Sequence, residues 1–179
     1  MLKLCLLLLV LPAAALADDW QALERPGVMA IMRHALAPGT GDPAGFTPGD
    51  CSTQRNLDDR GRSQARALGA AFRDRGIAFD RVLASEWCRA TETAALLDLG
   101  PVEPAPALNS FFAERRDNAP AQTAALRDIV TGAEGRLMMV THQVNIRALT
   151  GRSTRSGEVL LIREGEGGIE VVGSLLIGP

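Results

Sequence analysis

Apolar positions in this chain fall into two patterns. Short unbroken runs at 28–32, 81–84 and 137–140 are bounded by polar residues and read as buried strands. Between them the apolar residues space out. Ala65, Leu68, Ala71 and Phe72 share one face of a helix predicted over 59–75, with Asp58 as its N-cap and Gly76 as its stop. Further helices are predicted over 89–97, over 119–130 with Leu126 and Ile129 inward, and over 144–149. The segment 101–106 begins and ends on proline and reads as irregular or as an edge. Two final strands, 158–162 and 169–172, flank a glycine-rich turn at 165–168. Strands interleaved with helices predict an α/β layered fold with a mostly parallel sheet. The stretch 35–54, rich in proline and glycine, fits neither period, and so long a loop within a compact domain is usually functional.

The N-terminus follows a third pattern. Lys3 precedes an apolar run from Leu4 to Leu11, and Ala15-Leu16-Ala17 follows. This is the n-region, h-region and cleavage site of a signal peptide spanning 1–17. The run is well short of the roughly 20 residues that cross a bilayer, so no stable membrane insertion is expected after cleavage. The expectation is a periplasmic or secreted protein that begins at Asp18, with 18–179 as a single domain. A formal net charge of −2 with no block of like charge leaves no electrostatic footprint for nucleic acid. Cys51 and Cys88 are the cysteines left after cleavage. An isolated pair in an oxidising compartment usually bridges, worth about 4 kcal/mol by chain entropy. With no C-x-x-C and no ligand-pair spacing among two cysteines and two histidines, neither metal nor cofactor is expected.

The chemistry sits at the strand ends, where ligands bind in open α/β sheets. The first run stops at Arg33-His34, the second leads through Ser85 to Arg89, and the third leads to Thr141-His142. Both histidines of the chain and two arginines thus fall on one predicted rim. Guanidinium forks bind phosphate oxygens bidentately and stay charged at any working pH. Neighbouring arginines also disfavour a protonated imidazole and keep it available as a nucleophile.

These residues stand in motifs that resemble the histidine phosphatase (phosphoglycerate mutase-like) superfamily. Met32-Arg33-His34-Ala35 resembles its R-H-G signature, with Ala for Gly. Leu57 to Ala65 resembles its L-T-x-x-G-x-x-Q-A helix start, with Asp58 for Thr. Ser85 followed by Arg89-Ala90 and Thr93-Ala94 matches S-x-x-x-R-A-x-x-T-A, and Val140-Thr141-His142-Gln143 stands where the family has G-H-G or a variant. The resemblance runs from about Val28 to Leu149.

The resemblance implies a three-layer α/β/α sandwich and a phosphoric monoester hydrolase. His34 becomes the phosphoryl-accepting nucleophile, with Arg33, Arg89 and His142 holding the phosphate; Arg55 and Asn56 are further candidates. A carboxylic acid after the second arginine would protonate the leaving group. Glu114 is the first choice, with Asp117 and Glu158 as alternatives. Phe111 and Phe112 are candidates to wall the leaving-group pocket. A Cys51–Cys88 bridge would tie the 35–54 loop to the turn that carries Arg89. The expected partner is a small phosphorylated substrate, with envelope sugar phosphates among the candidates. The competing readings are a small bacterial protein phosphohistidine phosphatase and a silent phosphate-binding envelope module.

Overall fold

The computed structural model of the protein describes residues 19–178, except for the side chain of Glu114. The expected signal peptide, 1–17, lies outside the described residues. One six-stranded sheet organises the chain. Its strands are β1 (Met29–Arg33), β2 (Arg81–Ala84), β3 (Val102–Pro104), β4 (Leu137–Thr141), β5 (Val159–Gly165) and β6 (Gly168–Leu175), in the order β3-β2-β4-β1-β5-β6. The first four in that order are parallel. β5 runs antiparallel to β1 and forms a hairpin with β6 across a two-residue turn, Glu166-Gly167.

Helices cover both faces, which is why the central strands are solid apolar runs rather than alternating ones. α1 (Asp59–Asp74) and α2 (Cys88–Leu97) pack on one face, and α3 (Ala119–Thr131) and α4 (Gln143–Thr150) on the other. The pleat divides each strand between two cores. Met32, Met138 and Val140 join Leu68, Phe72, Ala94 and Leu97 on the first face. Ile31, Leu137 and Met139 join Leu126, Val130, Ile146 and Leu149 on the second. The expected three-layer sandwich with a mostly parallel sheet is the observed fold.

The local signals account for the boundaries. The Asp58 carboxylate accepts from Gly61 N at 2.8 Å and starts α1, whose buried stripe is Ala65, Leu68 and Phe72. Ala71, expected on that stripe, is half-buried at its margin. Gly76 follows the helix with a φ of +65°, a conformation that favours glycine. On α3 the fully buried positions are Leu126 and Val130, while Ile129 packs half-buried at the edge. The 101–106 segment supplies the edge strand β3 and then a 3-10 turn at Pro106–Leu108. A 3-10 turn at Asp19–Glu24, which carries no clear sequence signal, buries Ala22 and Leu23 and sets Trp20 edge-on to Phe72. The 35–54 loop holds only one short 3-10 turn, Cys51–Thr53.

Candidate active site

Three parallel strands, β2, β4 and β1, end side by side. Arg33 pairs with Thr141, and Ala84 with Val140. Beyond those pairs the chain stays in register: His34 N donates to Thr141 O at 2.9 Å and Ser85 N to Val140 O at 3.0 Å. Sheet geometry therefore brings His34, Ser85 and His142 to one rim.

The His34 ring is 2 % exposed. Its Nδ1 lies 2.8 Å from Ala35 O. A carbonyl oxygen only accepts, so Nδ1 carries the proton and the neutral ring has its lone pair on Nε2. Burial holds the His34 pKa well below the ordinary histidine value; the charges of Arg89, Arg33 and Arg55 add to this and outweigh the bond to Ala35. His142 packs edge-on to His34 at 5.5 Å between ring centroids. Its Nε2 is 2.8 Å from Ser85 Oγ. Burial, then the neighbouring His34 and the same arginines, lower its pKa as well.

The arginines converge on a cavity of about 910 Å³ lined by Arg33, Arg55, Arg89 and Arg115, with both histidines at its base. Arg33 Nη1 donates to Gln143 Oε1 at 3.1 Å and to Thr154 O at 3.4 Å. Arg89, on the first turn of α2, is 3 % exposed. The Nε atoms of Arg33 and Arg89 are both buried without a hydrogen-bond partner among the described residues. These are donors an anion could take. The one carboxylate among the described lining side chains is Asp42, ion-paired with Arg89 at 2.6 Å.

Other expected site residues fall elsewhere. Arg55 lines the cavity but spends Nε on Gly41 O at 2.8 Å and Nη1 on Ala37 O, so it braces the loop. Asn56 does not line the cavity; its amide donates to Cys51 O and Gln54 O. Asp117 is exposed and off the cavity. Glu158 is buried, also off the cavity, and accepts from Arg155 N, Arg155 Nε and Ser174 Oγ. Burial raises its pKa, but those donors together bring it below the usual carboxylate range. The Glu114 side chain lies outside the described residues. Phe112 lines the cavity, whereas Phe111 is buried off it.

The Cys51–Cys88 disulfide is present and clamps the loop to the residue before Arg89. At the mouth, Phe46 stacks on Trp87 at 5.0 Å and the Arg115 guanidinium sits 4.6 Å above Phe46. Asp42, Phe46 and Arg115 had no sequence signal, because each reaches the cavity through an aperiodic segment.

The motif glycine and glutamine of α1 also find their place. Gln64 Oε1 accepts from Leu36 N at 3.1 Å. A Cβ on Gly61 would lie 2.0 Å from Leu36 O, so only glycine lets α1 approach the chain just after His34.

Comparison with known proteins agrees with this layout. The solved structure of the protein histidine phosphatase SixA complexed with tungstate superposes with a TM-score of 0.58 at 17 % identity, covering 83 % of this chain and 96 % of that one. A putative alpha-ribazole-5'-P phosphatase from Escherichia coli gives 0.61 at 21 % identity, covering 85 % and 96 %. The mitochondrial serine/threonine-protein phosphatase Pgam5 of Drosophila virilis is 45 % identical over 49 residues, which are 27 % of this chain and 17 % of that protein. The model of the histidine phosphatase superfamily (branch 1) matches residues 30–118. That match takes in His34, Gly61, Gln64 and Arg89, the residues that build the rim and hold it, and it assigns residues 30–118 to the histidine phosphatase superfamily.

Proposed function

We propose that the protein is an exported phosphomonoesterase that works through a phosphohistidine on His34. The observation that carries this is the His34 ring itself. It is fixed through Nδ1 by the Ala35 carbonyl, kept neutral by burial and by three arginines, and opens onto a cavity far larger than a phosphate.

The chemistry follows from that geometry. The Nε2 lone pair attacks phosphorus as the bond to the leaving oxygen breaks. Phosphoryl transfer asks little covalent chemistry of the protein beyond the nucleophile; positioning and charge stabilisation dominate. Arg33 and Arg89 stabilise the equatorial oxygens. The Ser85 hydroxyl donates to Asn109 Oδ1 at 3.2 Å and its oxygen lies 2.8 Å from His142 Nε2, which holds the His142 ring at the rim, where it faces a third oxygen. The leaving alkoxide takes a proton from Glu114. Water then attacks the phosphohistidine, releasing phosphate and restoring His34. The tripartite N-terminus and the Cys51–Cys88 bridge support export, since such bridges persist in oxidising compartments. The substrate is a small phosphorylated compound, and cell-envelope sugar phosphates are the first class to screen.

The test separates nucleophile from proton donor. His34→Ala abolishes turnover and the trapped phosphoenzyme, whose phosphate is acid-labile and base-stable. Glu114→Gln slows an alkyl phosphate by roughly 100- to 10,000-fold, the usual range for general acid catalysis, and slows p-nitrophenyl phosphate much less because p-nitrophenolate leaves unaided. Phosphate trapped on any residue other than His34 defeats the mechanism. Equal slowing of both substrates moves the donor away from Glu114.

A further inference from the structure

Asp42 sits where a phosphatase cavity would least tolerate it, as an anion beside the phosphate site. Yet its carboxylate is held by four donors. Arg89 Nη1 and Arg55 N reach Oδ1 at 2.6 and 3.2 Å; Arg89 Nη2 and Trp87 Nε1 reach Oδ2 at 3.2 and 3.1 Å. The side chain is 11 % exposed. Burial raises its pKa, but the Arg89 pair and the Arg55 and Trp87 N–H groups more than offset that, so the group is ionised. A carboxylate satisfied this completely is a built part of the site. Displacing it would strand the Trp87 and Arg55 donors.

The pairing determines which donors of Arg89 remain. Both Nη1 hydrogens are taken, one by Asp42 and one by Arg55 O at 3.3 Å. One Nη2 hydrogen is taken by Asp42, and Nε has no partner among the described residues. The free hydrogens therefore lie together on the Nε–Nη2 edge, one of the two edges with which guanidinium binds an oxyanion bidentately. The disulfide fixes the same loop to Cys88, so Arg89 is gripped at its backbone and at the tip of its side chain.

We propose that Asp42 is a positioning residue that clamps the outer end of Arg89 and presents its Nε–Nη2 edge to the phosphoryl group. It acts through Arg89 and touches no reacting atom. The inference rests on the phosphatase reading of the cavity, so its test reads binding apart from turnover. Orthovanadate affinity is measured by calorimetry for the wild type, Asp42→Asn, Arg89→Lys and the double variant, with kcat/KM on p-nitrophenyl phosphate in parallel. Asp42→Asn should weaken vanadate binding and lower kcat/KM by roughly tenfold to a hundredfold, the scale of a 1 Å misplacement. In the Arg89→Lys background the same change should have less than about a twofold effect, since coupled residues are not additive. A role confined to loop stability would lower both backgrounds equally, and that result overturns the proposal. So does tighter vanadate binding by Asp42→Asn, which would make the carboxylate a competitor of phosphate. If Asp42→Asn does not fold, Asp42→Glu carries the same test: the charge stays, the fork shifts, and the loss should again depend on Arg89. A wild type that binds vanadate without turnover defeats the phosphatase reading but leaves the clamp standing on the binding data. A wild type that does not bind vanadate overturns both.

Discussion

Two helical glycines of α1 offer a matched pair of perturbations. Replacing an interior glycine by alanine favours a helix by about 0.8–1.0 kcal/mol through propensity alone. Here space opposes it. A Cβ on Gly61 would lie 2.0 Å from Leu36 O and 2.9 Å from Leu36 C. One on Gly69 would lie 2.0 Å from Leu97 O and 2.7 Å from Leu97 C. Both obstacles are backbone, so relief requires a shift of about 1 Å or more rather than a rotamer change. Overpacking of this kind costs about 1–3 kcal/mol and exceeds the propensity gain over most of that range. Both variants should therefore lose up to about 2 kcal/mol net, at roughly 2–4 °C of Tm per kcal/mol for a chain of this size. Their catalytic effects should diverge. Leu36 adjoins Ala35, whose carbonyl fixes His34 Nδ1 and whose N–H donates to Thr93 Oγ1 at 3.0 Å. A 1 Å displacement there tilts His34, the proposed nucleophile, and misplacement on that scale reduces rate by roughly 100-fold. Gly69→Ala strains only the C-terminal end of α2, so its kcat/KM should stay within about threefold of wild type, since stability and turnover are then separate. Differential scanning calorimetry and p-nitrophenyl phosphate kinetics on the two proteins decide it. Equal activity losses, or a destabilised Gly61→Ala with full kcat/KM, would refute the claim that the chain after His34 sets the nucleophile. No fall in Tm for either would show that the contacts yield and propensity prevails.

Stability should fall on mild acidification. Burial and the arginines lower the folded pKa of His34 and His142 beneath 6.5, so below that pH the unfolded chain takes up protons that the folded one refuses. Stability is complete above about pH 6.5 and declines below it by up to about 1.4 kcal/mol per pH unit per histidine; His142→Gln should roughly halve that slope in urea titrations, and stability that rises on acidification would contradict the sign. Removing both thiols by Cys51→Ser and Cys88→Ser should lower unfolding free energy by about 4 kcal/mol for a bridge spanning 37 positions. The same urea midpoint for the oxidised wild type and the double variant would show that the bridge adds nothing to stability.

What the sequence could reveal depended on whether a residue's neighbours were set by periodic structure. β1, β2 and β4 were readable because a strand covered on both faces is a solid apolar run, and α1 because its stripe, cap and stop are local. Arg33, His34, Arg89 and His142 inherit that legibility, since each sits within a residue or two of an element's end. The motif carried more than its chemistry: Gly61 and Gln64 stand among the signature residues, yet their work is to hold Leu36, which only the packing of α1 on the chain after His34 makes visible. Choosing among carboxylates was a different problem. Glu158 looks eligible by its place at the start of β5, and its backbone does approach the rim, with Arg33 N donating to Glu158 O at 3.2 Å. Its side chain, however, turns to Arg155 and Ser174, a choice made by a hairpin partner 16 positions away. Asp42 is the converse case. Nothing in its local sequence marks it, because what gives it meaning is Arg89, 47 positions on, together with the disulfide and the bracing by Arg55 that give the loop its shape. A buried guanidinium needs a counter-charge in the absence of substrate, and along the aperiodic 35–54 loop either of its two acids, Asp42 or Asp50, could have supplied it. Local chemistry thus identifies the residues proposed to meet the phosphate, whereas the residue proposed to aim one of them is found only once the loop is closed.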